Sequence, residues 1–511
     1  MKHVPDSVGN TLRLSSAVAL SALVVTIGTG FTAGKLVRPT RTIPKLHWKG
    51  TITMYAQSYT PILPGEKLAK DVPHLTELET LAKEFEKMYP GIRIKFIPSF
   101  TDTNTQVETK ATGGDMYDVY WNQTYNFNSV FPRGIVYNLD PYFNQPNPYI
   151  PGNKKWKNAM NPLVLAETAD PVNGAHYDLN GDGVGTAFYY NKTLFAKAGI
   201  KSPPKTWKAL ITDAKTLTAH HIIAGADVPM FYSWWANIFL RNNLGPKALT
   251  QLVNWSKARY TVTALGEVIG YEKGILNPGI NPRLTAWWPL MKQLYSYWDK
   301  SVTDIPWNAE PTGATTGTDL FAAGKVAMVY QGSWLPNTVR LAGAKFPIGS
   351  FPFPASSLAG VYKYGTNRNT PDVPGPAAAF QFAISTPKAD QSMAQPGKFQ
   401  AVLDWLRFIG TPQHDQAIVN QLGEFVPTFK GTKPVASQAG VVGAEAPVKK
   451  GEALSIQGFD DVTSQAATGI GNIWQEYLSG HLSFTAAKQQ YDAAVKQAVQ
   501  QYIATNHPRI P

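Results

Sequence analysis

Two short segments place an aromatic ring beside neutral polar groups where a sheet would present them to a ligand. Trp121-Asn122-Gln123 closes and follows an apolar run, Asp118 to Trp121, that reads as a buried strand after the Gly113-Gly114 turn. Ligands of α/β sheets bind beyond the carboxyl ends of strands. A ring with two amides there offers an apolar face together with hydrogen-bond donors and acceptors. The alternative is a turn that Asn122 closes through its side chain. Trp334, in Gly332-Ser333-Trp334, stands in the same relation to the strand Val326 to Tyr330. A helix starting beside it would add free backbone amides for ligand oxygens. The alternative for Trp334 is packing alone. Tyr59, just after the first expected strand, is a third candidate of this kind.

Metal and catalytic chemistry find less support. Asp178-Leu179-Asn180-Gly181-Asp182-Gly183 begins like an EF-hand loop, so Asp178, Asn180 and Asp182 form the candidate calcium set. That loop needs a bidentate Glu at its twelfth position, and here the twelfth residue is Tyr189. A tight polar turn explains the glycines as well. Asp460 and Asp461 are adjacent, so on a strand they face opposite ways, whereas the two carboxyls of a glycosidase must flank one bond. The histidines are scattered, and Gly324-Lys325 runs into Val326 where a phosphate loop needs Ser or Thr. The chain has no cysteine, which excludes disulfides, thiolate metal sites and cysteine nucleophiles. No cofactor is expected, and none of these patterns completes a catalytic set.

Only 16% of the 511 residues are charged, while 14 are Trp and 23 are Tyr, so neutral polar and aromatic groups must do most of the recognition. The formal net charge of +12 raises nucleic acid or an anionic membrane as partners. The cations are dispersed singly or in pairs such as Lys154-Lys155, and no nucleic-acid partner is expected. Lys2, His3 and Arg13 precede an apolar stretch, Leu14 to Gly34, punctuated by small residues, the pattern of a secretory signal. Its length approaches that of a membrane span. Residues 1–34 are therefore read as a signal peptide or an uncleaved membrane anchor, and residues 35–49 as a linker. Either reading puts the body outside the cytoplasm, secreted or held at the outer face of the membrane.

The elements that must position these residues alternate. Thr51 to Tyr55 reads as a strand, Leu75 to Met88 as an amphipathic helix stopped by Pro90-Gly91, and Ile92 to Phe96 as a strand, a β–α–β opening. Further strands are expected at 118–121, 187–190, 326–330 and 380–384. Helices are expected at 207–218 with Thr206 as N-cap, and at 318–323, 398–409, 413–422 and 484–503. This order fits two α/β lobes crossed by the chain more than once.

Four fragments, in this order, resemble a known family. They are Leu81 to Lys87 with Tyr89-Pro90-Gly91-Ile92; Ala111 to Trp121; Tyr190-Asn191-Lys192 with Phe195, Lys197 to Ile200, Pro204 and Thr206-Trp207; and Phe321 to Met328 with Gly332-Ser333-Trp334. Together they are similar to family 1 extracellular solute-binding proteins of ABC transporters, the maltose-binding-protein-like carbohydrate group. The resemblance implies a two-lobed periplasmic-binding-protein-like fold of type II, each lobe a sheet flanked by helices, with the ligand cleft between them. It implies residues 50–184 and 375–428 in lobe 1, and 185–352 and 429–505 in lobe 2. It also implies a monomer that captures a sugar or oligosaccharide and delivers it to an ABC transporter permease. Trp334 then takes a sugar-stacking role. The cluster Phe231 to Trp235 supplies one or two of Tyr232, Trp234 and Trp235, although such clusters are more often core. Sugar rings stack on Trp and Tyr, and their hydroxyls need neutral polar partners, which agrees with the composition. The rivals are a polyamine, metal or phosphorylated solute on the same scaffold, and an extracellular glycosidase.

Overall fold

The computed structural model describes residues 43–62, 74–98, 104–122, 134–170, 174–226, 232–256, 262–303, 316–368, 380–435, 438, 456, 458–459 and 462–511. The apolar stretch Leu14 to Gly34, Gln123, Phe231 and the pair Asp460-Asp461 lie outside these residues. Among the described residues no helix is long and apolar enough to cross a membrane.

In chain order the strands are β1 Gly50–Tyr55, β2 Ile92–Phe96, β3 Val119–Trp121, β4 Asp178–Asn180, β5 Asp182–Gly183, β6 Thr186–Asn191, β7 Ile223–Gly225, β8 Val326–Gly332, β9 Ile348–Phe351, β10 Gln381–Ile384 and β11 Val426–Pro427. They form two main sheets. The first has the order β2-β1-β3-β10-β4, with β1 parallel to β2 and β3 and with β10 antiparallel to both its neighbours. The second has the order β7-β8-β6-β9, with β6 antiparallel to β8 and β9. β5 and β11 make a separate antiparallel pair in which Val426 faces Gly183 and Pro427 faces Asp182.

Each sheet has its own core. In β2 the alternation is plain: Ile92 and Ile94 are buried while Arg93 and Lys95 are exposed. The first core packs Ile52, Met54, Val119 and Phe382 against Phe85 of the helix Glu77–Met88 and Trp405 of the helix Lys398–Ile409. β6 is buried from Ala187 to Asn191. Phe188 and Tyr190 enter the large second core, while Ala187 and Tyr189 enter a smaller cluster on the other face. The helices Ser464–Ser479 and Phe484–Asn506 complete the second core through Trp474 and Tyr491. Phe429 packs in the first core and the Lys430 amide donates to Ala159 O, so this part of the chain stays with the first sheet.

The N-cap expected at Thr206 is present, and a second cap is found at Thr316. Thr206 Oγ1 accepts the Ala209 amide at 3.1 Å, and Thr316 with Asp319 forms a capping box before Gly317–Ala322. The first helix starts at Glu77 rather than Leu75, because Leu75 exchanges two backbone hydrogen bonds with Ile62.

Candidate functional site

β5 leads directly from the first sheet into β6 of the second, and β11 lies beside it. One chain crossing therefore runs beside a strand whose flanks, Phe425 and Phe429, pack in the first core. The Ser333 amide donates to Gly185 O at 2.8 Å, which ties the end of β8 to this junction. Trp334 follows at once, heading the helix Leu335–Leu341.

The sequence Gly332-Ser333-Trp334 has a steric cause. The Trp334 ring folds back over Gly332, where a Cβ would come within 2.3 Å of it, so no larger residue fits under the ring. Trp334 is half-buried, and its ring packs against the first core while its helix belongs to the second sheet through Leu335 and Val339. Trp234, also half-buried, meets it edge-to-face, with ring centroids 6.1 Å apart and planes at 64°. Trp234 also lies edge-on to Tyr330 of β8 at 6.3 Å.

The other sequence candidates fall elsewhere. Tyr232 and Trp235 are 1% and 0% exposed in the second core, with Tyr232 among Trp287, Trp288 and Trp474, and Trp235 tilted against Tyr330 at 4.2 Å. Neither offers a ring face to a ligand in this structure. The cluster opens a helix, Tyr232–Trp255, so its residues alternate between core and seam rather than sharing one surface. Tyr59 is buried between Phe380 and Phe425, and its hydroxyl donates to Asp182 Oδ2 at 2.8 Å. Trp121 packs in a small cluster with Tyr55 and Tyr120 at the first sheet. Asn122 is buried, and its Nδ2 donates to both Asp178 oxygens at 3.2 and 3.4 Å. Gln123 is outside the described residues.

Asp178, Asn180 and Asp182 lie on β4 and β5, and their side chains are committed to different partners. Asp178 takes Asn122, Asn180 donates to Asp178 O, and Asp182 takes Tyr59 and the Phe380 amide at 3.0 Å. Among the described residues no three or more His, Cys, Asp or Glu converge as a metal would require. Gly181 between them answers to space. A Cβ there would sit 2.1 Å from the Phe380 ring and 2.4 Å from Asp415 Oδ1. Burial, then repulsion from Asp182, holds the Asp415 carboxyl well above the usual carboxylate range.

Burial, opposed by the bond from Asn122, pushes the Asp178 pKa up to about 8. An unfolded Asp ionises near about 3.9, so between those values the native state binds the extra proton. Stability that is fully present below about pH 4 is lost as pH rises through about 8. Asp178→Asn removes this loss. The variant is expected to gain stability over the parent progressively from about pH 4 to 8 and to gain none below, as read from urea midpoints across that range. A pH-independent difference would show that Asp178 does not carry the proton.

Residues 73–384, more than half of the sequence, match the family described as bacterial extracellular solute-binding protein. The chain belongs to that family. A Brucella abortus protein named as a binding protein is 30% identical to this solute-binding protein over 183 residues, 34% of this chain and 41% of that one. A multiple sugar-binding protein from Streptococcus mutans is 24% identical over 285 residues, 54% of this chain and 59% of that one. The chain thus matches less than two thirds of either relative's length. A solved chitin oligosaccharide binding protein superposes with a TM-score of 0.58 at 19% identity, over 88% of this chain and 99% of the other. The fold is therefore the two-lobed, type II periplasmic-binding-protein-like arrangement expected from sequence, and family and fold are those of binding proteins.

Several residues of the solute-binding protein's seam escaped the sequence reading. Glu424 accepts from Asn337 Nδ2 at 2.6 Å, and Gln438 Nε2 donates to Ser333 O and Gly423 O, each at 2.9 Å. Burial raises the Glu424 carboxyl above its ordinary range, against the bond from Asn337 and the charge of Arg340. Only the end of the helix expected at 413–422 marked this region beforehand.

Proposed function

We propose that this solute-binding protein captures a neutral sugar or oligosaccharide in the seam between the two sheets and delivers it to the permease of an ABC transporter. The observation that carries the reading is Trp334. Its ring is half-buried, touches the first core, rides on a helix of the second sheet and is braced edge-on by Trp234. An indole so placed gives a sugar ring an apolar platform that both lobes can enclose. The names of the Streptococcus mutans relative and the chitin oligosaccharide binding protein support the same class of ligand. The lobes are residues 50–184 with 375–428 and 185–352 with 429–505, except that Phe429 and Lys430 stay with the first. Closure turns on the junction of β5 and β11, with a ligand that bridges both sides favouring the closed form. The protein acts as a monomer outside the cytoplasm, exported or anchored through its N-terminal segment, and breaks no bond itself.

Titration with maltose, maltotriose, xylobiose and chitin oligosaccharides, followed by tryptophan fluorescence, tests this. A saturable change with at least one sugar, recovered uncleaved, is the expected result. Cleavage of the sugar, or a response to spermidine or a metal ion with none to any sugar, would refute it.

A further inference from the structure

We propose that Glu424 and Gln438 clasp the helix carrying Trp334 against the first core, and so set how firmly the solute-binding protein holds its ligand. The consequence for the ligand rests on the sugar reading of Trp334; the clasp itself does not. Glu424 follows Gly423, the left-handed cap (φ 69°) of the helix Pro412–Leu422, whose Ile418 and Val419 are buried in the first core. Asn337, its partner, lies in the helix Leu335–Leu341, which is packed on the second sheet. The Oδ1 of Asn337 accepts from Arg340 Nη2 at 2.5 Å, so its amide is turned toward Glu424 with its orientation fixed. Gln438, 1% exposed, ties the residue before Trp334 to the residue before Glu424. Trp334 thus stands between two tethers, one at Ser333 and one at Asn337.

These bonds differ from the many that lie within a single lobe. They join elements of different cores, so they must break when the lobes part. Their partial burial makes each bond stronger than it would be in water, and an unpaired Glu424 or Gln438 costlier. A positioning role for both residues follows: they hold the ring in register with the first core without touching a ligand.

The absence of cysteine makes the test direct. Lys87→Cys and Lys215→Cys introduce spin labels at exposed positions on helices of the first and second cores. Without ligand, Glu424→Ala and Gln438→Ala are expected to broaden the label–label distance distribution toward longer separations. Glu424→Gln, which keeps an acceptor oxygen for Asn337, is expected to match the parent. With the sugar identified by titration, Glu424→Ala is expected to raise the dissociation rate about tenfold with little change in association. A merely structural role would lower the melting temperature without moving the distances. Distances unaltered in both alanine variants overturn the clasp whether or not any sugar binds. Altered distances in a protein that answers to no sugar uphold the clasp and refute the sugar reading instead. Should Glu424→Ala not fold, Gln438→Ala carries the comparison alone.

Discussion

Trp334→Ala is expected to weaken sugar binding by about 30- to 700-fold, because a central aromatic anchor is typically worth about 2–4 kcal/mol and each 1.4 kcal/mol is about tenfold. The argument is geometric. The ring is held by three things: the space over Gly332, the edge of Trp234 and the first core. Truncation removes the platform, and water enters where a sugar face would lie. Gly332→Ala separates the ring's position from its presence. The added Cβ would lie 2.3 Å from the ring, so the indole must leave its seat while its chemistry is untouched. Binding should fall in both variants, and Trp334→Phe should keep part of it. Calorimetry with the responding sugar, on protein whose melting curve shows it folded, decides. A loss under about threefold for Trp334→Ala would remove the ring from the site.

Lys398→Met is expected to cost about 3–5 kcal/mol of stability at neutral pH, the usual penalty for stripping one partner from a buried ion pair. Lys398 Nζ lies 2.6 Å from Asp118 Oδ1, with side chains 6% and 1% exposed. The cation opens the helix Lys398–Ile409, where the helix dipole disfavours positive charge, so its place is explained by Asp118 rather than by the helix. Lys398 also donates to Ser392 Oγ at 2.6 Å and lies over the Trp48 ring. Asp118 in turn accepts the Thr53 amide and hydroxyl at 2.8 and 3.0 Å, pinning β3 to β1. Without the lysine, burial raises the Asp118 pKa above its unfolded value. The penalty is then absent at pH low enough to protonate the acid in both states and grows as pH rises. Chemical denaturation at pH 4 and pH 7 reads this directly. The double variant Asp118→Asn with Lys398→Met should recover part of the loss. A cost under about 1 kcal/mol at pH 7 would mean the pair is not what holds the two strands together.

Much of the fold was legible because it rests on local patterns. The alternation of Ile92 to Phe96 and the 3–4 spacing of Leu78, Leu81, Ala82 and Phe85 each report a single buried face, and both elements lie where expected. Elements whose faces are not simple were missed. The helix Tyr232–Trp255 is broken at Gly245 (φ 83°) before Pro246, which interrupts its period. β9, Ile-Gly-Ser-Phe, is an edge strand with one fully buried residue, so it carries no alternation to read. The helix Ser464–Ser479 begins with small and polar residues, and its apolar stripe emerges only from Ile470 onward.

The candidate site's geometry could be anticipated at Trp334 and Trp234 but not around them. A strand end followed by a helix start can be seen in sequence, and so can a ring beside it. Which of Tyr232, Trp234 and Trp235 turns outward depends on where the helix begins, and one residue of phase moves a side chain by about 100°. The acids of 178–182 could be read only as a weak candidate loop, because spacing alone shows a metal loop's donors. Whether they converge is decided by Tyr59, Asn122 and Phe380, which come from distant parts of the chain. Glu424 and Asn337 left no trace, since a hydrogen bond between two surface-type residues has no signature in either neighbourhood.

The position of β10 has a consequence for how this polypeptide is made. β10 sits inside the first sheet, between β3 and β4, yet its residues 381–384 follow the whole of the second sheet in the chain. Trp405 and Phe408, at the centre of the first core, come later still. While the chain emerges from its N-terminus, the second sheet can therefore assemble from residues 186–351, but the first lacks its inner strand until the final quarter of synthesis. The first core, begun by the earliest-made residues, is thus closed only after Ile409, and the second only by the helices Ser464–Ser479 and Phe484–Asn506. Neither core can therefore close until late in synthesis.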